Sequence, residues 1–384
     1  MWRSLASNML TILVVVLFLV GGIILWGKSQ YVAQGPLEEP ICLRVERGSN
    51  MARVSRDLAG QNAVSNAAIF RIGADYTDKA QSLKAGSFLV ESNASMEQIV
   101  DQITRGGAST CGTEIVYRVG VTRVQTQVRE LDPATNQFEI TAEFDPVVDE
   151  APAEFTAKRG ESDTRYRIAL AEGVTSWQVV EALKAMDLLE GEVAAVPGEG
   201  TLAPDSYEVT VGEDRQSVLD VMAERQAERI ATVWAAREPD LPLSGPEEML
   251  ILASIIEKET GVPEERGEVA SVFVNRLNAG MRLQTDPTVI YGLTKGRGVL
   301  GRGLRQSELR RVTPWNTYVI EGLPPTPIAN PGLASLQAAV APAETEYVFF
   351  VADGSGGHAF ATTLEEHNRN VAKWREIEAQ RANN

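Results

Sequence analysis

The chain has 384 residues, 44% of them hydrophobic and 23% charged, which fits a folded protein of two or three domains and excludes a disordered one. Its 36 basic residues face 52 acidic ones, for a net charge of −16. No excess of Lys and Arg is left to neutralise phosphates, so nucleic acid is excluded as a partner.

The first element is apolar. Ser4 to Gly27 carry no charge, and the run Leu10 to Trp26 is almost wholly aliphatic. A helix rising about 1.5 Å per residue over that run spans the ~30 Å of a bilayer core. Trp2 and Trp26 stand at its two ends, where interfacial aromatics belong, and Arg3 before it favours a cytoplasmic N-terminus. A cleaved signal peptide is the alternative. The run is long for one, and no small-x-small site follows, so residues 1–28 are read as a retained single-pass anchor with the rest outside the cytoplasm. In that compartment the two cysteines, Cys42 and Cys111, form a candidate disulfide; a pair of buried thiols is the other reading.

Two segments look like copies of one unit. Residues 40–108 begin with a strand at Leu43, a turn at Gly48 and a helix through Leu58. Residues 166–237 begin with a strand at Ile168, a turn at Gly173 and a helix through Leu183. Each then closes with a strand and a second helix, giving a small strand–helix–strand–helix module. Between them, residues 109–165 form a β-rich insertion, with alternating stretches at Ile115–Val119 and Phe138–Phe144 and an acidic linker at Asp149–Glu154. Pro239, Pro242 and Gly245 mark a boundary, and residues 244–384 form the last domain. There Ser244 starts a helix that ends at Gly261. A second helix runs from Pro263 to Asn278, and Asp286 caps a third with Pro287 at its first position. Tyr347–Val351 and His358–Ala361 flank a Gly-rich turn as a hairpin, and Thr363 with Glu366 opens a final helix. The fold class expected is α+β.

The chemistry centres on Glu259. At helical spacing it shares a face with Leu252, Ile255 and Ile256. A carboxyl group on that stripe leaves water, its pKa rises, and it becomes a general acid suited to breaking a sugar–sugar bond. Glu257 is the competitor, on the smaller and more polar face of Ala253 and Ser254. Two surface glutamates on an amphipathic helix are the plain alternative. No HExxH, metal-spaced Cys, G-x-S-x-G or P-loop occurs, so no metal or cofactor is expected, and acyl and phosphoryl transfer are disfavoured. Lys295, Arg297, Arg302, Arg305, Arg310 and Arg311 form a basic stretch, read as a solvated loop in preference to a contact for acidic peptides.

Ile256–Thr260 with Leu283–Gly292, then Asn316-Thr317-Tyr318, Gly322–Pro325 and the Phe349–His358 hairpin, resemble the endolytic murein transglycosylases, the MltG (YceG-like) family. The resemblance implies that Glu259 is the essential glutamate, that the paired modules are LysM-like, and that the last domain is a lysozyme-like, mainly helical catalytic domain. It implies a bacterial inner-membrane protein with a periplasmic catalytic domain. The reaction expected is lytic cleavage of the MurNAc–GlcNAc bond of nascent peptidoglycan strands near the membrane, leaving 1,6-anhydro ends. Gln284, Thr285 and Asp286 become candidates to line the cleft, and Asn316 and Tyr318 to bind sugar. Their plain roles are a helix cap for Asp286, turn satisfaction for Asn316 and core packing for Tyr318. Peptidoglycan and the membrane are the partners implied, with cell-wall synthases as further candidates. A two-carboxylate hydrolase using Asp286, or a non-enzymatic glycan-binding anchor, are the competing functions.

Overall fold

The structure, a computed structural model, describes residues 2–105, 110–161 and 163–382. The boundary expected at 108–109 lies outside them, as do the side chains of Trp2 and Arg3. Two compact units are present. One comprises residues 1–116, 126–144 and 149–166, the other residues 117–125, 145–148 and 167–384.

In the first unit, helix α1 (Trp2–Val32) contains one stretch, Met9–Val32, long and apolar enough to cross a membrane, with mean hydropathy 2.9. Its large apolar side chains from Met9 to Trp26 are exposed; Phe18 is 79% exposed. An apolar surface of that extent needs a non-aqueous neighbour. The helix continues past the expected end at Lys28, and its residue Tyr31 is buried in the core of this unit.

That core belongs to β1 (Ile41–Val45), α2 (Met51–Gly60), α3 (Ala67–Tyr76), β2 (Gly86–Val90) and α4 (Met96–Arg105). Strands β1 and β2 pair antiparallel with Cys42 opposite Leu89. Gly48 takes the positive φ (+80°) that the turn after β1 requires. Leu43, Leu58, Phe70, Ile99 and Ile103 are sealed inside. The order is strand–helix–helix–strand–helix, so the expected pattern missed α3. Its start was written in the sequence: the Asn66 side chain accepts from the Ala68 and Ile69 amides as an N-cap.

Strands β3 (Thr113–Val119), β4 (Val124–Asp132) and β5 (Gln137–Phe144), helix α5 (Ala153–Lys158) and strand β6 (Arg165–Leu170) follow. β4 pairs antiparallel with β5, with a bulge at Val128/Arg129. The expected acidic linker runs straight into α5, because Phe155 packs edge-on against Phe144 with ring centroids 5.1 Å apart. Cys42 and Cys111 are joined as a disulfide, Cα–Cα 5.7 Å.

The second unit contains α6 (Ser176–Ala185), β7 (Ser206–Val209), α7 (Arg215–Ala235), α8 (Pro246–Glu259), a 3-10 turn (Pro263–Glu265), α9 (Arg266–Asn278), α10 (Asp286–Thr294) and α11 (Gln306–Leu309). It ends with α12 (Leu333–Val340), the antiparallel hairpin β8 (Phe349–Ala352) and β9 (His358–Ala361), and α13 (Leu364–Ala382). α6 opens with a complete capping box between Thr175 and Gln178. α8 is the centre of this unit. Every residue from Met249 to Ile256 is buried, against α9, α12, Leu283 and Ile328. A helix that is buried all round has no polar face. The expectation that Ala253 and Ser254 form a more polar side than Leu252 and Ile255 is therefore overturned. Ser254 is sealed in, donating to Ile251 O (2.7 Å) and accepting from the Ile328 amide (3.0 Å).

Two helix starts shift by one residue. Gly245, not Ser244, occupies the N-cap of α8; the Ser244 amide instead donates to Glu248 Oε2 at 2.7 Å. Thr285, not Asp286, occupies the N-cap of α10 and makes no side-chain cap bond.

Asn330 fastens α6 to the chain before α12. Fully buried, it accepts from the Leu202 amide (3.0 Å) and donates to Val174 O (3.0 Å). Asn330→Ala leaves Leu202 N–H without its acceptor in a dry site, so we expect a loss of about 2 kcal/mol, read from denaturant midpoints. An unchanged midpoint rejects this role.

Candidate active site

Glu259 is the last residue of α8; Thr260 follows in extended conformation and ends the helix. Burial pushes the Glu259 carboxyl pKa above its ordinary value, and the nearby Asp286 charge acts the same way. The Thr285 hydrogen bond and the charges of His358 and Arg276 oppose the rise without cancelling it. The negative end of the α8 dipole also disfavours a charged carboxylate there.

One oxygen of Glu259 is held. Thr285 Oγ1 donates to Glu259 Oε1. Thr285 is itself fixed by a threonine cluster: its amide donates to Thr317 Oγ1 (3.0 Å), the Thr317 and Thr288 hydroxyls bond at 2.8 Å, and Thr288 donates to Thr285 O (2.8 Å). All three threonines are buried. The Thr285 hydroxyl is directed at Glu259, and the start of α10 has no side-chain cap.

Asp286, exposed beside them, accepts from Tyr318 OH at 2.7 Å. Burial, then the Asp286 carboxylate, push the Tyr318 pKa up, so the phenol stays a donor. Gln284 is exposed with φ +48°, its amide donating to Thr317 O at 3.1 Å. Asn316 is spent on the backbone: its amide group donates to the carbonyls of Glu308, Leu309 and Arg311, and its oxygen accepts from the Tyr318 amide. Glu259, Thr285, Asp286 and Tyr318 thus come together in one connected region, with Gln284 at its edge. Asn316 shapes the loop beneath. Asp286 makes its side-chain bond to Tyr318 and not to the helix start.

Glu257 is engaged elsewhere, accepting from the Gly332 amide at 2.9 Å. Partners, not the polarity of the helix faces, separate the two glutamates.

Two groups near Glu259, Arg276 and Thr317, escape the reading of the sequence; His358 is read there as a hairpin contact, without its partner Glu265. Arg276 of α9 is buried, donating to Leu283 O (2.6 Å) and Val348 O (2.7 Å). His358 bonds Glu265 twice, through Nδ1 to Oε2 (2.8 Å) and through its amide to Oε1 (2.9 Å). Thr317 closes the threonine cluster. Arg276 and Glu265 carry no signal beyond helical position; within Asn316-Thr317-Tyr318, the middle residue has no local feature that marks it. Of the basic stretch, Arg302 pairs with Glu308 (2.6 Å) and Lys295 lies 3.3 Å over the Trp315 ring. Among the described residues, no group of three or more His, Cys, Asp or Glu is placed to hold a metal ion.

The arrangement favours the protonated form of Glu259 beyond the ordinary carboxylate range. With Oε1 accepting from Thr285, Oε2 is the oxygen left to carry a proton to an acceptor.

The chain has recognisable relatives. An endolytic murein transglycosylase of Bacillus subtilis (strain 168) is 26% identical over 364 residues, spanning 93% of this chain and 91% of that protein. An endolytic murein transglycosylase of Streptococcus pneumoniae (serotype 2, strain D39) is 25% identical over 341 residues, 87% of this chain; the match spans 58% of that protein's length. A crystal structure of a YceG-like protein from Listeria monocytogenes aligns with a TM-score of 0.46 at 25% identity, covering 86% of this chain and 99% of that one. The YceG-like family profile matches residues 43–373, most of the length, and the chain belongs to that family.

Proposed function

We propose that this protein is a membrane-anchored lytic transglycosylase that cuts peptidoglycan glycan strands internally, at the bond between N-acetylmuramic acid and N-acetylglucosamine. The observation that carries this reading is a single carboxyl group, Glu259, half-buried, raised in pKa and oriented by Thr285. Relatives called endolytic murein transglycosylases at 25–26% identity support the substrate class.

The reaction follows from one acid used twice. Glu259 Oε2 gives its proton to the glycosidic oxygen as the bond from muramic C1 to that oxygen breaks. The muramic C6 hydroxyl then attacks C1, and its proton returns to Glu259. A C1–O6 bond replaces the C1–O4 bond, leaving a 1,6-anhydro ring and a free 4-hydroxyl. The nucleophile belongs to the same sugar, so high effective concentration takes the place of an activated water. Tyr318, Asp286 and Gln284 are proposed to bind the sugar; Asn316 supports the loop that carries Tyr318. The helix α1 holds the chain in the inner membrane with its N-terminus in the cytoplasm and the remainder in the periplasm. The two strand-and-helix modules are proposed to be LysM-like and the last domain, 244–384, lysozyme-like. Internal cuts made near the membrane would end strand elongation and put the protein beside cell-wall synthases.

Digestion of purified strands, read by mass spectrometry, tests the proposal. Anhydro-muramic ends are expected inside long strands. Ends heavier by one water would replace this mechanism with hydrolysis, and intact strands that remain bound would make the protein a glycan-binding anchor.

A further inference from the structure

Lys258, the residue before Glu259, has no explained role. Its ammonium makes one hydrogen bond, to Gly173 O at 3.2 Å, and no ion pair among the described residues. An ammonium has three donors, so capacity remains. The two carboxylates whose charges act on Lys258, Glu257 and Glu199, accept from the Gly332 and Ser176 amides and make no ion pair with it among the described residues. Burial pushes the Lys258 pKa down, so an anion at its head would restore a charged state that the protein alone disfavours.

Lys258 lines a cavity of about 250 Å³ in the second unit, and it is the one charged residue there. Val121, Ile290, Val299 and Leu300 supply apolar walls. The polar side chains Thr175 and Gln178 are spent on one another, on Gly296 O and on Val121 O. The volume falls below the roughly 300 Å³ at which pockets for drug-sized ligands begin, which suits a branch of a polymer better than a pair of sugar rings. Apolar walls with a single cation select a short aliphatic group ending in a carboxylate.

The cavity adjoins the proposed chemistry. Lys258 and Glu259 are successive on α8, so their side chains project onto neighbouring faces. Pro287 lines the cavity, while the Asp286 charge acts on Glu259. A muramic acid residue carries a branch of matching chemistry, a lactyl ether extended by a peptide with methyl side chains and free carboxylates.

We propose that this cavity receives the stem peptide of the muramyl residue being cut, with Lys258 as the counter-ion of its carboxylate; the assignment rests on the transglycosylase reading. The test uses the full chain in detergent micelles and two substrates, strands bearing stem peptides and strands stripped of them. Lys258→Met is expected to lower kcat/KM about tenfold or more on peptide-bearing strands, through KM, and to leave stripped strands unaffected. Lys258→Arg restores most of the loss. Val299→Glu, at a 57% exposed position, sets a repelling charge at the cavity without disturbing the core and should reproduce the selective loss. Equal losses on both substrates, or no loss with Val299→Glu, overturn the proposal.

Calorimetry of N-acetylmuramoyl-L-alanine binding to the Glu259→Gln protein separates this idea from the catalytic one. Binding that Lys258→Met abolishes supports the cavity even if the native protein cuts nothing. Absence of binding overturns the cavity even if cleavage is confirmed.

Discussion

Glu259→Gln is expected to lower strand cleavage by about three orders of magnitude or more, within or beyond the range usual for loss of a general acid, while the protein stays folded. The amide can still accept the Thr285 hydrogen bond, so the geometry persists and only the proton is lost. Stability should move the other way. The folded-state pKa of Glu259 lies above its ordinary value near 4.5. The folded protein therefore keeps this proton to higher pH than the unfolded chain does. Stability from this group is complete below the ordinary value and declines as pH rises through the raised one. Glutamine does not titrate, so the variant should gain on the native protein as pH increases. Unfolding midpoints at acid and mildly alkaline pH measure the gap. Cleavage by the native protein should fall over the same rise in pH as the acid form disappears. Retained cleavage in Glu259→Gln, with loss in Glu257→Gln, would move the acid by two residues.

Replacing both Cys42 and Cys111 by Ala should cost the first unit about 2–4 kcal/mol. The bridge closes a sequence separation of 69 residues, and chain-entropy reasoning places a loop of that size between roughly 3 and 5 kcal/mol before native-state effects reduce it. It ties β1, at the position facing Leu89, to the chain leading into β3, over a small apolar cluster of Leu89, Leu131 and Phe138. Alanine is the appropriate replacement because Cys111 is fully buried and a serine hydroxyl there would lack a partner. Thermal scans of the native protein with and without reductant should show a matching drop in midpoint of roughly 10 °C. Strand cleavage at low temperature should not change, since Glu259 belongs to the other unit. A midpoint indifferent to reductant, or two titratable thiols in the purified protein, would refute the bridge.

The elements with strong local signals were legible before the structure. The apolar run of α1 reveals itself by composition. The hairpin at residues 349–361 follows from β-branched and aromatic runs around Asp353-Gly354-Ser355-Gly356-Gly357. Leu58 and Leu183, each ten residues after a turn glycine, are both fully buried. Helix α3 has no counterpart in the second copy, so the paired pattern does not contain it although Asn66 announces it. Strand β4 was passed over because it mixes Gln, Arg and Glu with its apolar residues.

Within the candidate site, Glu259 could be singled out from sequence because a carboxylate among Leu252, Ile255 and Ile256 contradicts its surroundings. The reason for preferring it over Glu257 could not be read correctly. Helical periodicity describes one helix, and α8 is enclosed on every side by parts of the chain that lie up to about 90 residues away. Which glutamate receives a hydroxyl and which an amide depends on where Thr285 and Gly332 arrive, and no local pattern encodes that. The same holds for the threonine cluster, for Arg276, for the His358–Glu265 pair and for the cavity beside Lys258. The sequence alone pointed to an acid set beside buried apolar residues at the end of one helix, because burial of apolar residues is a local, periodic demand. The tertiary structure alone decided the partners of that acid, because hydrogen bonds and charge pairs form between segments that only packing brings within 3 Å of each other.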